Sequence, residues 1–376
     1  MTDEQYMKLA LTLAAKGRGY ASPNPMVGAV IVKNGKIIGR GYHQCCGENH
    51  AEVNAIADAK EKVAGSTLYV TLEPCCHSGK TPPCTDLIIR HKIRRVVIAA
   101  ADSNPLVSCR GIACLENAGI KVTRGVLEAE SRRLNEVFFH FMETELPFIT
   151  VKYAQTLDGR IATALGNSQW ISSPASLKFA HRLRAEHDAI LVGIGTVLRD
   201  NPTLTVRLVR GRNPLRVIVD SGLATPVDAN VMRNLSETPT LIATTQKPSD
   251  PRYWKLSEAG ARLMTVAPDR EKHVDLKKLF RKLAAENISS VLIEGGARVI
   301  TSALRQGLVN RLVVVTAPKI LGKGIEAIGD LSIRDLKDAK ILSVRSLSKK
   351  GPDVVMDARM ATRPSSRRLS GRPAPN

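Results

Sequence analysis

One histidine, one glutamate and two cysteines have the residue types and spacing for hydrolytic metal chemistry. A single residue separates His50 from Glu52, and Cys75 and Cys84 follow downstream. An imidazole and two thiolates are zinc ligands, and a set of three leaves a fourth position open for water. Zinc lowers the pKa of such a water toward neutrality, and Glu52 is the natural carrier of its proton. These residues predict a catalytic zinc site with Glu52 as general acid and base.

The order H-x-E, then P-C, then a further cysteine is typical of zinc-dependent nucleobase deaminases. The second half is stretched here, because residues 76–83 separate the two cysteines. The alternative is a closed structural zinc site, whose fourth ligand would come from Cys45, Cys46, Cys76 or His77. A carboxylate two residues from the histidine favours the catalytic interpretation. We interpret Cys45, Cys46, Cys109 and Cys114 as ordinary thiols.

The chain is too long for one ordinary domain. At 376 residues with 43% hydrophobic content, two globular domains are expected. Leu146-Pro147 is the predicted boundary, which gives a zinc-dependent domain at 1–145 and a second domain at 147–360. Residues 361–376 are rich in Arg, Ser and Pro with little to bury, so a disordered basic tail is predicted.

Neither a membrane span nor a disulfide framework is expected. The sequence has no apolar run long enough for a transmembrane helix, and its acidic start lacks a signal-peptide core. Seven cysteines, an odd number, suit a metal site better than paired disulfides. A cytoplasmic protein with reduced thiols is therefore predicted.

The net charge of +20 raises the possibility of nucleic-acid binding. Four arginines lie in the tail, at 363, 367, 368 and 372, and aromatic residues make up only 4%. Base-stacking surfaces need aromatic side chains among the basic ones. We therefore expect a phosphate-bearing small molecule rather than nucleic acid, with a structural-zinc nucleic-acid binder as the rival hypothesis.

Alternating strands and helices predict an α/β sandwich in the first half. The predicted helices are 2–16, with Thr2 and Gln5 as a capping box, His50 to about Ala59, Asp86–His91 and Glu128–Met142. The predicted strands are Val27–Lys33 and Lys36–Tyr42 about an Asn-Gly turn, Thr67–Leu72 and Arg95–Ala101. His50 and Glu52 cannot share a helix face, so we place them in a first turn that points at the site.

The second half repeats the strand–helix alternation. Its predicted strands are Phe148–Ala154, Ala189–Val192, Leu215–Val219, Thr240–Ala243, Val291–Glu294 and Arg311–Thr316. Glycines follow three strand ends, in Gly193–Thr196, Asp220–Gly222 and Glu294–Gly296. Such junctions let the backbone approach a phosphate at a helix N-terminus. None is a full G-x-G-x-x-G, so alone they are weak signals.

Three motifs of the first half, Ser22–Val30, His50–Glu52 and Glu73–Cys84, resemble the bifunctional riboflavin-biosynthesis deaminase/reductases. The stretched cysteine spacing separates that family from cytidine and tRNA-adenosine deaminases. The resemblance implies that His50, Cys75 and Cys84 bind Zn²⁺, that Glu52 is catalytic, and that Asn24, His43 and Lys80 hold the substrate. An Asn before a proline is also ordinary turn chemistry.

The second half resembles the reductase of the same family. The matching motifs include Lys152–Ala162, Ser168–Ile171, His181–Arg184, Asp200–Leu204 and Glu294–Gly296. The resemblance implies substrate contacts from Lys152, Ser168, Arg184, Leu204, Arg207 and Glu294. It implies NADPH contacts from Ala154, Trp170, Thr196, Asp200, Ser221, Gly296, Ala297, Arg298, Val299, Ile300, Thr301 and Ser302. Arg216 or Arg298 would add charge beside the cofactor's 2′-phosphate.

The implied fold is a cytidine-deaminase-like three-layer sandwich followed by a dihydrofolate-reductase-like domain. The implied function is deamination of a pyrimidine ribosyl phosphate, then reduction of its ribose with NADPH, in a homo-oligomer. Small departures from the family pattern occur at Ser103, Cys109, Thr156 and Asn201. A further alternative keeps the deaminase but makes the second half a non-catalytic binding module.

Overall fold

The computed structural model describes residues 1–76, 82–103 and 109–361. These residues form a five-stranded sheet, a nine-stranded sheet and a two-stranded ribbon. None of the helices in the described part of the chain combines the length and apolar character that a bilayer crossing requires.

The first half contains six helices and five strands within the described ranges. Its helices are α1 Asp3–Ala14, α2 Ala51–Ala57, α3 Cys84–Arg90, α4 Arg110–Asn117, α5 Glu128–Leu134 and α6 Glu136–Thr144. Its strands are β1 Gly28–Lys33, β2 Lys36–Tyr42, β3 Thr67–Leu72, β4 Arg95–Ala100 and β5 Lys121–Arg124. The sheet order is β2-β1-β3-β4-β5, with β3, β4 and β5 parallel and the β1–β2 hairpin antiparallel.

Helices cover both faces of this sheet. Tyr6 and Ala10 of α1 pack on Val30 and Val97 on one face. On the other face, residues of α2, α3 and α4 pack against alternate positions of the same strands, including Ala55, Ile88 and Ile112. The predicted three-layer sandwich is confirmed, as is the capping box of Thr2 and Gln5.

The helical stretch predicted over Glu128–Met142 is present but divided at Asn135, because α5 ends at Leu134 and α6 begins at Glu136. Asn135 lies at the break, as the C-cap of α5 and the N-cap of α6. Its Oδ1 accepts from the Met26 amide at 2.7 Å, and its Nδ2 donates to the Met26 carbonyl at 2.9 Å. A long-range tertiary contact therefore overrides local helical periodicity here.

The second half contains eleven strands and five α-helices within the described ranges and ends on two antiparallel strands. The strands are β6 Phe148–Thr156, β7 Arg160–Thr163, β8 Ala189–Gly193, β9 Leu215–Val219, β10 Thr240–Thr244, β11 Arg262–Thr265, β12 Ser290–Ile293, β13 Arg311–Ala317, β14 Gly324–Glu326, β15 Leu342–Lys350 and β16 Asp353–Met360. The helices are α7 Pro174–Glu186, α8 Ile194–Asp200, α9 Pro251–Glu258, α10 Leu276–Ala285 and α11 Ala297–Arg305.

The large sheet has the order β11-β10-β9-β8-β12-β6-β13-β16-β15. The first seven strands of this order, from β11 through β13, are parallel, and β16 and β15 add an antiparallel edge. Helices α10 and α11 bury Phe280 and Ile300 against one face. Helices α7, α8 and α9 cover the other face with Leu183, Val197 and Leu256. Burial on both faces explains why the central strands read as continuous apolar runs.

Every strand predicted in the second half is present, within two residues at each end. Five further strands, β7, β11, β14, β15 and β16, were not predicted. Strand β15 has no fully buried residue and consists of exposed and half-buried positions, so it lacks the apolar run of a central strand.

Candidate active sites

Three separate elements bring the predicted zinc ligands together. His50 is the N-cap of α2, Cys84 is the first residue of α3, and Cys75 follows the end of β3. Their ligand atoms all lie within 4.8 Å of one another. His50 Nδ1 is 3.2 Å from Cys84 Sγ and 3.6 Å from Cys75 Sγ. Tetrahedral zinc, with bonds of about 2.0–2.3 Å, holds its ligand atoms at such separations, so the donor set fits the metal.

The two thiols and the imidazole polarise one another. A hydrogen bond from Cys84, together with the adjacent His50, lowers the pKa of Cys75 to about 4 although burial opposes the shift. The same pairing raises the pKa of Cys84, so one thiolate forms first. Among the described residues, Cys45, Cys46 and Cys76 do not join the cluster, whereas His77 lies outside the described ranges. The described ligand set is therefore the three-membered one.

Glu52 lies in the first turn of α2 and is 4% exposed. Burial, reinforced by the nearby Cys75 thiolate, raises the pKa of this carboxyl to about 7. A general acid and base transfers protons most efficiently when its pKa lies near the working pH. The position and environment of Glu52 suit a proton carrier beside the ligand cluster.

Asn24 and His43 form a polar pair beside His50. The His43 and His50 rings are 5.7 Å apart, edge to face. His43 Nδ1 is 3.1 Å from the Asn49 carbonyl, and its Nε2 is 3.1 Å from Asn24 Nδ2. Burial lowers the pKa of His43, so the neutral ring donates from Nδ1 and accepts the Asn24 amide at Nε2. This hydrogen bond fixes the orientation of the Asn24 side-chain amide, including its carbonyl oxygen. Lys80, the third predicted substrate residue, lies outside the described ranges.

Glu73 holds the segment that carries Cys75. Its carboxylate accepts hydrogen bonds from the amides of Asp102, Cys109 and Ile112 at 3.1–3.2 Å. Two of these amides belong to the start of α4, where a carboxylate is favoured by the helix dipole. A single Glu before the Pro-Cys pair gives no sequence signal of this role, because its partners are distant in the chain.

The second site centres on one buried carboxylate and two cations. Glu294, at the end of β12, accepts from Lys152 Nζ at 3.1 Å and from Arg184 Nε at 2.7 Å. Although burial raises the pKa of Glu294, the charges of Arg184 and Lys152 lower it to about 2. The sequence predicted these three residues as substrate contacts, and the structure joins them in one network.

Arg207 extends the same network through the loop after α8. Its amide donates to His181 Nδ1 at 2.9 Å, and its guanidinium donates to Thr205 Oγ1 at 2.8 Å. Thr205 in turn accepts from Arg184 Nη1 through its carbonyl at 3.1 Å. Burial, then the charges of Arg184 and Arg207, lowers the pKa of His181 to about 4, so the ring is a neutral acceptor. His181 was not among the predicted site residues.

Leu204, the remaining predicted substrate residue of this loop, is 3% exposed with φ of +55°. Lys152 and Arg184 contact the Glu294 carboxylate, and Arg207 joins them through Thr205, so the network holds three cations and one carboxylate and has a surplus of positive charge. Such a surplus suits a phosphate-bearing ligand.

Glycines bring backbone and side chains together at the predicted cofactor junction. Gly295 and Gly296 have φ of +107° and +81°, and a Cβ on Gly296 would be 3.3 Å from Thr196 Oγ1. Gly296 is also the N-cap of α11. Thr196 of α8 and the N-terminus of α11 therefore face one another, and a side chain at position 296 would narrow the space between them. This cradle fits a pyrophosphate, which helix N-termini bind through free amides.

The other predicted cofactor residues lie within β6, in the loop after β7, at the end of α8 and in the loop after β9, and the predicted substrate residue Ser168 contacts one of them. The Ser168 hydroxyl donates to Asp200, Trp170 is 64% exposed, and Ala154 lies in β6. The Ser221 carbonyl accepts from Thr245 Oγ1 at 2.9 Å, and its Oγ accepts from the Val274 amide at 3.0 Å.

Within 296–302, the side chains of Val299, Ile300 and Thr301 are buried in the protein. These residues can therefore meet a ligand mainly through the backbone, whereas Ala297, Arg298 and Ser302 are at least partly exposed.

The expectation that Arg216 adds charge beside the cofactor is wrong. Arg216 is 1% exposed, and its guanidinium donates to the carbonyls of Arg233, Thr203 and Thr238. An arginine in β9 whose two terminal guanidinium nitrogens donate to main-chain carbonyls is structural. Burial lowers its pKa to about 10. Arg298, in contrast, is exposed at the start of α11.

Comparison with known proteins identifies the family. The chain matches the cytidine and deoxycytidylate deaminase zinc-binding region over residues 1–100 and the RibD C-terminal domain over residues 147–355. Riboflavin biosynthesis protein RibD of Aquifex aeolicus is 49% identical, over 94% of this chain and 97% of that protein. This chain belongs to the RibD family. The Escherichia coli RibD protein is 41% identical, over 95% of this chain and 99% of its own length.

Solved RibD-family structures share the whole architecture. The Thermotoga maritima diaminohydroxyphosphoribosylaminopyrimidine deaminase/5-amino-6-(5-phosphoribosylamino)uracil reductase has a TM-score of 0.84 and 38% identity, covering 96% of this chain and 99% of its own. Acinetobacter baumannii RibD has a TM-score of 0.87 and 33% identity with the same coverage. The resemblance inferred from sequence is confirmed. As a RibD-family protein, the chain is a bifunctional deaminase and reductase of riboflavin biosynthesis whose cofactors are zinc and NADPH.

Replacing Gly111 in this RibD-family protein should weaken zinc binding. A Cβ at Gly111 would lie 2.1 Å from the Pro74 carbonyl and 3.2 Å from Glu73 Oε1, so Gly111→Ala must displace the segment that carries Cys75. Changes behind metal ligands typically cost about 10- to 100-fold in affinity. Chelator competition would measure this loss. Gly119→Ala is the matched control, because it strains a positive φ just after the same helix but meets no heavy atom within 4 Å. Equal zinc affinity in both variants would contradict the assignment.

The Glu294 network should make stability depend on pH in acid. Its pKa of about 2 lies below the ordinary 4.5, so its stabilisation, on the order of 3 kcal/mol, is present above pH 4.5 and disappears as pH falls toward 2. Glu294→Gln should therefore destabilise the protein at neutral pH by about 3 kcal/mol and progressively less below pH 4.5. Urea unfolding across that range would measure the difference.

Glu326→Gln is the control for that experiment. Glu326 pairs with Arg160 at 2.6 Å, but its side chain is 63% exposed, and exposed pairs contribute about 0–1 kcal/mol. A Glu294→Gln penalty that stays constant from neutral pH to pH 2 would refute the pKa assignment.

Proposed function

We propose that the two sites act in sequence on one pyrimidine ribosyl phosphate. The first hydrolyses the ring amine of 2,5-diamino-6-ribosylamino-4-pyrimidinone 5′-phosphate, and the second reduces the ribosyl to the ribityl side chain with NADPH. The observation that carries this proposal is the three-ligand cluster of His50, Cys75 and Cys84 beside the buried Glu52. The Thermotoga maritima relative, a diaminohydroxyphosphoribosylaminopyrimidine deaminase/5-amino-6-(5-phosphoribosylamino)uracil reductase, supports the choice of substrate.

In the first step, Glu52 is the proposed catalytic residue. Zinc held by His50, Cys75 and Cys84 would lower the pKa of a water ligand toward neutrality. Glu52 takes a proton at its carboxylate and returns it to the departing amine, a transfer that a pKa of about 7 permits in both directions. Asn24, directed by His43, would orient the ring, and Lys80 is proposed to bind the phosphate.

In the second step, the chain positions the ribose and its phosphate. Arg184 and Arg207 are proposed to bind the phosphate, while Lys152 and Glu294 orient the sugar hydroxyls. Ser168 and Leu204 complete the substrate site. The hydride belongs to the nicotinamide, and the protein supplies position and charge.

NADPH is proposed to lie along the strand ends that surround Gly296. Its contacts would come from Ala154, Trp170, Thr196, Asp200 and Ser221, and from residues 296–302. The α11 N-terminus and the glycines before it support a pyrophosphate position there. Exposed Arg298 is the proposed neighbour of the 2′-phosphate.

We further propose that Leu146-Pro147 separates two domains and that the enzyme works in the cytoplasm. β6, which begins at Phe148, pairs only with strands of the large sheet. The seven cysteines are unpaired, as expected in a reducing compartment.

Glu52→Gln should keep zinc and lose deamination. The amide has nearly the size of the carboxylate but cannot shuttle a proton, so kcat should fall by about 100-fold or more. Absorbance assays with the diaminopyrimidine ribosyl phosphate, without and with NADPH, report the two steps separately, and metal analysis reports zinc. Glu61→Gln, at an exposed position, is the control. Full deaminase activity in Glu52→Gln would revive a structural role for the zinc.

We also propose that the protein is a homo-oligomer joined along β15. This nine-residue strand ends the large sheet. Val344 and Leu347 on it are 53% and 67% exposed, and neighbouring Ile341 is 65% exposed. An unpaired edge with apolar side chains invites pairing with another strand. A second copy of the same edge is complementary to it under two-fold symmetry.

Leu347→Glu should dissociate this oligomer, because a carboxylate would be buried at the pairing edge. Light scattering after gel filtration would measure the mass, with Leu336→Glu, at an 87% exposed position outside the strand, as the control. A monomeric parent protein would rule out the proposal, and an unchanged mass in Leu347→Glu would move the interface elsewhere.

A further inference from the structure

The segment that carries Asn24 lies between the two halves of the molecule. We define the Asn24 loop as residues 22–26. It leads into β1 of the small sheet, and a cleft beside it is lined by residues of both halves, including Asn24, His187 and Arg311. The loop therefore belongs to the deaminase site and to the interface at once.

The first end of the Asn24 loop is anchored to the reductase half. Ser22 Oγ is 3.0 Å from Ser289 Oγ, and Ser289 Oγ is 2.7 Å from Asp188 Oδ2. The carboxylate can only accept, so the Ser289 hydroxyl donates to Asp188 and Ser22 donates to Ser289. Asp188 is 8% exposed and also accepts from Ser290. Ser22 is thus linked, through the Ser289 hydroxyl, to the buried carboxylate of Asp188 by charge-assisted hydrogen bonding.

The second end of the loop is anchored through α6. Asn135 holds both the amide and the carbonyl of Met26. The next residue, Glu136, pairs with Arg345 at 2.7 Å and with Arg359, from β15 and β16 of the reductase half. Only 12% of the Glu136 side chain is exposed. Arginines of the second half thereby hold the first residue of α6 in place. Asn135, which precedes that residue, hydrogen-bonds to Met26.

A third contact joins the preceding turn to the reductase site. Gly19 has φ of +80°, and a Cβ there would lie 2.5 Å from the Ala185 carbonyl. Ala185 belongs to the last turn of α7 and follows Arg184, which pairs with Glu294. The backbone before the Asn24 loop therefore rests directly on the helix that carries a proposed substrate arginine.

We infer that the reductase half holds the Asn24 loop in its substrate-binding conformation, so that Ser289, Arg345 and Arg359 act as positioning residues for deamination. The inference rests on the proposed function, because it takes Asn24 as a substrate contact. Neither the zinc ligands nor Glu52 touch these anchors, so loosening the loop changes substrate binding and leaves the metal in place. The two halves are then one functional unit for the first reaction.

The test uses the full-length protein with Ser22→Ala, Ser22→Thr and Glu136→Gln. Ser22→Ala removes the donor to Ser289, and the loss of one such hydrogen bond corresponds to about a 3- to 10-fold change. The deaminase KM should rise by that factor, while its kcat and the zinc content stay unchanged. Ser22→Thr keeps the hydroxyl and should restore KM. Glu136→Gln should raise the same KM, and reductase constants measured on the deaminated substrate should not change.

Ser257→Ala, a half-buried serine in α9 far from the interface, is the matched control and should leave every constant at its original value. An unchanged deaminase KM in both Ser22→Ala and Glu136→Gln would overturn the inference and leave the proposed function intact. A lower kcat with lost zinc at constant KM would also overturn it, because general loosening acts in that way. No deamination by the parent protein would overturn the proposed substrate and this inference together.

Discussion

The proposed deaminase site depends on holding three predicted zinc ligands from three elements at one point, and the buried Glu73 carboxylate helps to position one of them. Zinc requires its ligand atoms within a few tenths of an ångström of tetrahedral positions, yet Cys75 lies on an irregular segment after β3. Glu73 ties that segment to the start of α4 through the amides of Cys109 and Ile112, and to the segment after β4 through the amide of Asp102. Gly111 lets α4 approach the Pro74 carbonyl. Residues that do not react, such as Glu73 and Gly111, therefore set the position of the segment that carries Cys75.

The reductase half uses a buried carboxylate in the opposite way. Glu294 also follows the end of a central strand, but its partners are Lys152 and Arg184 rather than amides. Backbone amides satisfy Glu73 without adding mobile charge, which suits a site where the metal supplies the charge. Two cations overcompensate Glu294, and Arg207 adds a third nearby, so the pocket keeps a positive surplus. A surplus of this kind attracts a phosphate and would be screened by water if it were exposed.

Sequence patterns were sufficient wherever local chemistry decides the structure. The Thr2 capping box, the Asn34-Gly35 hairpin and the apolar parallel strands follow from short-range rules, and the ligand motifs were visible in the same way. Patterns failed where distant residues decide. Asn135 interrupts a helix because its side chain hydrogen-bonds to the backbone of Met26. Arg216 has the residue type of a phosphate ligand, but in the fold it donates to main-chain carbonyls. Several basic residues have internal partners of this kind, so the net charge overstates the number of cations available to a ligand.

The same internal use of charge links the two halves. Arg345 and Arg359 pair with Glu136 of α6, whose own side chain is only 12% exposed. Asp188 accepts from Ser289, which in turn accepts from Ser22. Buried ionic contacts add little net stability, since desolvation offsets their attraction, but they do fix relative orientation. At this interface the contacts converge on the backbone that carries Asn24. Joining the deaminase and the reductase in one chain therefore has a structural consequence beyond proximity: contacts from the second half reach both ends of residues 22–26, directly at Ser22 and through Asn135 and Glu136 at Met26.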